Sequence, residues 1–205
     1  MKNLLIIIFF LQIATSSIAQ IMNDVDEVYP FQEDLAAVQK NNQWGFINKQ
    51  GELVIDYRSD LVVSNNLNNQ GELSSYPVFK DNRCLIKKLI DEIYYYGYID
   101  KTGTIVIVPQ FLNATNFENG HALIIAPSLE VIGFNKLLNK NIISSNIEEF
   151  VINTMGEKVR YLENPFKYNL QKRKSIVPPV FHSKFIAPGI VAAQKHDMKW
   201  DVYQF

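Results

Sequence analysis

The sequence predicts an all-β protein of tandem antiparallel hairpin repeats forming one elongated array, with a small β-propeller as the alternative architecture. Three observations predict it. An octet of aromatic or acidic residue, glycine, two apolar residues, Asn or Asp, two polar residues and a closing glycine recurs, with degraded copies. A second, fainter pattern precedes each copy: an apolar residue, then Asp, Asn or Gly three on, a small residue five on and an aliphatic one seven on. The segments between the turn signals are rich in aromatic and β-branched residues, as half-buried strands require.

The chain opens on Lys2, an apolar run from Leu4 to Ile13 and the small residues Ser17 and Ala19, the layout of a secretory signal peptide cleaved after Ala19. The apolar run is well short of the ~20 residues a spanning helix needs. Residues 1–19 are therefore expected to be a leader, and residues 20–205 a repeat domain of three to four degenerate units with insertions. Such a chain is exported, to the periplasm or as a secreted protein, and is not membrane-spanning once processed.

The octet is best seen in Trp44-Gly45-Phe46-Ile47-Asn48-Lys49-Gln50-Gly51 and Tyr96-Gly97-Tyr98-Ile99-Asp100-Lys101-Thr102-Gly103. A degraded copy runs from Glu149 to Gly156, and Trp200-Asp201-Val202-Tyr203 begins a fourth; the closing glycines lie 52 and 53 residues apart. Asn48 to Gly51 and Asp100 to Gly103 suit a type I turn closed by glycine, so each copy reads as strand, turn, strand. Period-two geometry places Trp44 with Phe46, and Tyr94 with Tyr96 and Tyr98, on one face, while Gly45 and Gly97 leave gaps that admit a neighbouring backbone or ring.

The second pattern reads Phe31, Asp34, Ala36, Val38, then Phe79, Asn82, Cys84, Ile86, then Phe117, Gly120, Ala122, Ile124, and most weakly Ile186, Gly189, Val191, Ala193. The residues at the third offset tolerate a left-handed backbone, which makes this a turn feeding a strand with alternate side chains inward. Leu85 to Ile93 has apolar residues at helical spacing too, but its place between two anchors predicts a hairpin.

These residues resemble the bacterial WG repeat, also called the WG-containing or KWG repeat. The best copy runs from Tyr96 to Ile124 and includes Val106-Ile107-Val108-Pro109, Phe117 and the Gly120 to Ala122 turn; Phe31 to Ile55 holds a second with Trp-Gly intact. The resemblance implies a β-repeat module of exported and other bacterial proteins, and it carries no catalytic residues over.

The chemistry in the sequence is thin. Twenty basic against twenty-one acidic residues give a formal charge of -1, which leaves no overall electrostatic footprint for nucleic acid. The single cysteine, Cys84, excludes an internal disulfide and any multi-cysteine metal site. It occupies the slot of Ala36 and Ala122, so it is read as a buried, inert thiol. There is no GxSxG, HExxH or GxxxxGK[ST] pattern, and His121, His182 and His196 have no ligand-spaced partner. His121 falls at an outward-alternating strand position, and His196-Asp197 at a hairpin tip.

The reading that follows is a non-catalytic binding or structural module of the bacterial cell envelope, without metal or cofactor, whose partner is a protein or glycan and not a nucleic acid. The alternative is a secreted hydrolase acting on envelope carbohydrate or peptide. It would need Asp91 and Glu92, or Glu148 and Glu149, brought together with other groups, since adjacent strand residues face opposite ways. Repeat-array insertions often map to the binding face, so segments 56–78, 126–148 and 160–185 are expected to converge on one side. Tyr57, Tyr76, Phe134, Tyr161, Phe166 and Tyr168 are the candidate contacts, because large amphipathic rings dominate interface energetics.

Overall fold

The computed structural model describes residues 21–67, 73–162 and 177–205, and the regular structure within them is entirely β. Four successive antiparallel sheets are built by the same local chemistry. The first holds β1 (Glu27–Val28), β2 (Ala36–Lys40), β3 (Gln43–Ile47) and β4 (Leu53–Arg58), and a small hairpin of β5 (Ser64–Leu67) and β6 (Leu73–Tyr76) follows it. The second holds β7 (Phe79–Lys80), β8 (Arg83–Ile90), β9 (Ile93–Ile99) and β10 (Ile105–Phe111). The third holds β11 (Asn113–Ala114), β12 (His121–Asn135), β13 (Lys140–Asn153) and β14 (Lys158–Leu162). The fourth holds β15 (Ser183–Ala187), β16 (Ile190–Gln194) and β17 (Trp200–Gln204). The expected leader lies outside the described residues.

One turn is repeated three times between equivalent strands. Asn48 Oδ1 accepts the backbone N–H groups of Gln50 and Glu52, each at 3.0 Å; Asp100 Oδ1 does the same for Thr102 and Thr104, and Asn153 Oδ1 for Met155 and Glu157. Gly51, Gly103 and Gly156 close these turns at φ of 80°, 84° and 84°, the left-handed region that glycine enters without a Cβ penalty. The third copy, degraded in sequence, is therefore intact in structure. The second pattern also folds as read: Asp34, Asn82, Gly120 and Gly189 all have positive φ just before β2, β8, β12 and β16. Leu85 to Ile93 is a hairpin, turning at Asp91-Glu92 with Ile90 opposite Ile93.

Period-two alternation then makes each sheet apolar on both faces, and the sheets stack in chain order. Ala37, Trp44, Phe46 and Ile55 of the first pack with Phe79, Cys84, Ile86 and Ile99 of the second. Leu85, Tyr96, Tyr98 and Ile107 of the second pack with Phe117, Ala122, Ile124 and Ile152 of the third. Leu123, Val151 and Leu162 pack with Val191 and Ala193 of the fourth. Among the described residues no core cluster joins the first sheet to the fourth, so an array forms and the propeller alternative does not. The outer face of the first sheet, Ala36, Val38 and Ile47, is covered by Met22 and Tyr57.

The aromatic series splits. Trp44, Tyr96 and Tyr98 are core, and the Tyr98 hydroxyl donates to the Thr115 carbonyl at 2.6 Å. Trp200, in the last sheet, is 45% exposed, with the Lys184 ammonium 4.7 Å from its ring centroid. Phe31 and Ile186, the first residues of the outermost pattern copies, are also exposed, whereas Phe79 and Phe117 between sheets are buried.

Candidate functional site

The described parts of the three insertions border one short stretch, residues 112–116. Asn116 Nδ2 donates to Ser64 Oγ at 2.7 Å, and Asn113 Nδ2 donates to the Pro179 carbonyl at 2.8 Å. Leu112 packs with Ile125, Ile147 and Phe181. The middle insertion is not a polar loop: it prolongs β12 and β13 into a hairpin paired out to Asn135 and Lys140, with Asn135 Oδ1 accepting the N–H groups of Leu137 and Leu138 in the turn.

Each insertion touches this stretch, but the described candidate rings do not gather there. Tyr57 is half-buried against the first sheet and lines a cleft of about 260 Å³ with Arg58 and Gly103. There the Arg58 guanidinium grips the Asp60 carboxylate at 2.5 and 2.8 Å and donates to the Gly103 carbonyl at 3.2 Å. Tyr76 is taken up by the core: it is 3% exposed, its ring stacks on Tyr29 with centroids 4.2 Å apart, and its hydroxyl accepts from Gln32 at 3.1 Å. A ring so placed is not offered to a partner. Phe134 is 54% exposed on the outer part of the β12–β13 hairpin. Tyr161 is 53% exposed, sits edge-on to Phe150 at 5.4 Å, and lines a cleft of about 450 Å³ with Val159, Arg160 and Tyr203. Cross-strand pairing puts Phe134 on the face of Ile125 and Ile147, and Tyr161 on the opposite face with Ile124 and Phe150. Phe166 and Tyr168 lie outside the described residues.

Among the described residues, the groups capable of chemistry are engaged in packing or lie in exposed turns. Cys84 is buried, and burial pushes its thiol well above the ordinary range, which keeps it protonated and unreactive. Glu149 is buried at the position of Trp44 and Tyr96, while Glu148 lies on the other face of β13, so the two do not form a pair. Asp91 and Glu92 form an exposed hairpin tip. His196 is in the exposed turn between β16 and β17, as expected. His121, expected at an outward-alternating position, is covered on that side: Phe205 packs against its ring with centroids 4.9 Å apart and its Nδ1 lies 3.0 Å from the Asn119 carbonyl. Among the described residues no group of three or more His, Cys, Asp or Glu is placed to hold a metal ion. Among the described residues no helix is long and apolar enough to cross a membrane.

The residues that reading the sequence missed are at the hairpin's end: Leu137 is 97% and Leu138 67% exposed. The available signal was a Leu-Leu pair between Lys136 and Lys140 in a stretch, Val131 to Ile147, without a single acidic residue.

Comparison with known proteins places the repeat. The family described as WG containing repeat matches residues 25–44, 44–66 and 96–125. The first two matches span β1 to β4 and continue into β5, and the third runs from Tyr96 in β9 to Ile125 in β12. Among solved structures, the crystal structure of the computationally designed Ika4 protein is similar at 15% identity and a TM-score of 0.34, over 88% of this chain and 91% of that one. No curated protein matches the chain.

Proposed function

We propose, for a chain whose segments 25–44, 44–66 and 96–125 are WG repeats, that it acts as an exported, non-catalytic binding or structural module of the bacterial cell envelope. Its partner is a protein or a glycan. The observation that carries this reading is the division of labour between the repeats and the insertions. The repeats spend their chemically capable side chains, Cys84 and Glu149, on the core, while the insertions meet around residues 112–116 and carry exposed apolar and aromatic groups outward. A surface that excludes water around exposed rings binds, whereas turnover needs several titratable groups converging on one point.

Two measurements test it. Expression of the full chain with a leader-dependent fractionation and N-terminal sequencing is expected to find a processed protein beginning at Gln20 outside the cytoplasm. A chain retained whole in the cytoplasm overturns the exported reading. Pull-down from solubilised envelope, followed by glycan and peptide arrays, is expected to recover a partner that is retained less by Tyr161→Ser than by the unaltered protein. Release of product from envelope glycan or peptide by the purified chain would overturn the non-catalytic reading.

A further inference from the structure

The outer half of the β12–β13 hairpin presents apolar side chains that no described part of the chain receives. Residues paired across the strands share a face, so Leu129, Val131, Ile143 and Phe134 lie on one face and Ile142 on the other. The register slips between Val131 and Gly133, which leaves Ile132 unpaired in a bulge. All six side chains are exposed, as are Leu137 and Leu138 at the tip. The tip is held in a defined turn by the two hydrogen bonds to Asn135 Oδ1 and by Asn139 at a φ of 50°. Its leucines are thus fixed outward by the backbone.

Charge identifies the medium that would accept them. The whole chain is near neutral, but Val131 to Ile147 carries two lysines, Lys136 and Lys140, and no acidic residue. Both lysines are exposed and flank the two leucines. A flat protein partner would cover one face of the hairpin and leave Ile142 or the bulged Ile132 in water. A medium that is apolar on all sides of the tip and anionic at its rim covers them together. Long lysine stems lie along apolar surface while their ammonium groups reach the rim. We infer that the tip of this hairpin, Leu137-Leu138 between Lys136 and Lys140, inserts into the headgroup region of an anionic lipid bilayer. The outer edges of a two-stranded hairpin keep unpaired backbone N–H and C=O groups, so the tip enters the interface and does not cross the hydrocarbon.

The test uses the full chain with Cys84→Ala and Leu137→Cys, labelled at the new thiol with an environment-sensitive fluorophore. Vesicles of phosphatidylcholine are compared with vesicles of phosphatidylcholine mixed with phosphatidylglycerol. Blue-shifted emission and protection from aqueous iodide are expected only with the anionic vesicles, and added salt is expected to reverse both. In co-sedimentation, Leu137→Ser with Leu138→Ser is expected to lower vesicle partition by roughly tenfold or more, because each leucine loses its burial. Lys136→Gln with Lys140→Gln is expected to abolish the preference for the anionic lipid. These positions are solvent-exposed, and unchanged circular dichroism verifies that the variants fold. Emission that stays water-like at every lipid ratio overturns the proposal. So does a concentration-dependent blue shift without lipid, which would assign the tip to a second copy of the chain. Tip variants that lose vesicles yet still recover an envelope partner leave the binding function standing, so the two readings fail separately.

Discussion

Glu149 of the third sheet and Ser183 of the fourth close on each other across the joint between their sheets. The Ser183 hydroxyl donates to Glu149 Oε2, and the His182 backbone N–H donates to Oε1 at 2.9 Å. The carboxyl stands where Trp44 and Tyr96 stand in the preceding units, so a ring that packs onto the next unit is exchanged for a group that captures the entry to β15.

That exchange makes stability depend on pH. Burial, the main influence, raises the Glu149 carboxyl above its ordinary value, while the hydrogen bonds from Ser183 and His182 pull the other way. The folded state therefore holds this proton more tightly than the unfolded chain. Its contribution is fully present below the ordinary carboxylate value and is lost as pH rises through the raised one. Glu149→Gln stays neutral and keeps an acceptor oxygen for the serine or the amide. Thermal melts from about pH 4 to about pH 8 are expected to show the variant gaining on the parent as pH rises. A pH-independent difference would contradict the assignment.

The repeated turn gives a second expectation. Gly51, Gly103 and Gly156 each sit at a strongly positive φ, and alanine at any of them is expected to cost about 1 kcal/mol through left-handed strain. Gly51→Ala must in addition displace Ile21, whose Cγ2 lies 1.4 Å from where the new Cβ would be. Ile21 Cβ would also lie 2.8 Å away, and a Cβ at Gly156 would press on the buried Ile107 at 3.2 Å, whereas at Gly103 the nearest atom is at 3.5 Å, so denaturant titration is expected to rank Gly103→Ala as the mildest of the three. A cost below about 0.3 kcal/mol at all three would contradict the strain argument.

What was legible in the sequence was whatever local chemistry decides. Asn48, Asp100 and Asn153 announce their turns because the side chain that staples the turn lies within four residues of the amides it binds. The slot of Cys84 was legible because Ala36 and Ala122 mark the same place in neighbouring copies. Glu149 was not, since its partners are 33 and 34 residues away inside an insertion without repeat spacing. The β12–β13 extension was read only as an insertion, not as paired strands, because Asn, Ser and Lys interrupt its apolar alternation and the bulge at Ile132 breaks the period. Tyr76 was read as a surface ring because it lies in an insertion, yet Tyr29, ahead of the Phe31 pattern, supplies the ring that buries it.

Cys84 provides a direct check on the stack. It is fully buried on β8, opposite Ile99 of the same sheet and in one cluster with Phe46 of the first sheet. Cys84→Ala removes one sulfur from that joint and is expected to cost at most about 1 to 2 kcal/mol, whereas Cys84→Asp buries a carboxyl and is expected to unfold the joint. The native thiol should resist a small alkylating agent until denaturant is added. Rapid labelling of the folded protein would show that the first two sheets are not packed as described.

The glycine of the Trp-Gly pair has a mechanical purpose that a graded substitution can expose. Between Tyr98 and Tyr96 on β9 there is only Gly97, but between their partners Ile107 and Phe111 on β10 there are three residues, including Pro109. The surplus arches over the glycine, and a Cβ there would stand 2.3 Å from the Ile107 carbonyl oxygen, 2.6 Å from Pro109 N and 2.8 Å from the Val108 carbonyl carbon. Opposite Gly45 there are two residues, Asp56 and Tyr57, a surplus of one, and the nearest backbone atom to a Cβ is the Ile55 oxygen at 2.9 Å. At the third copy Phe150 pairs directly with Tyr161 and Val151 with Arg160, so the arch is absent and a large side chain is accepted; the slip that remains, between Val151 and Ile152, is one the other copies also have, between Phe46 and Ile47 and between Tyr98 and Ile99. Gly97→Ala is therefore expected to cost about 1 to 3 kcal/mol as the arch is forced to shift, and Gly45→Ala less, since side chains form part of its enclosure. Denaturant midpoints would read both, and equal costs at the two glycines would sever the link between the arch and the motif.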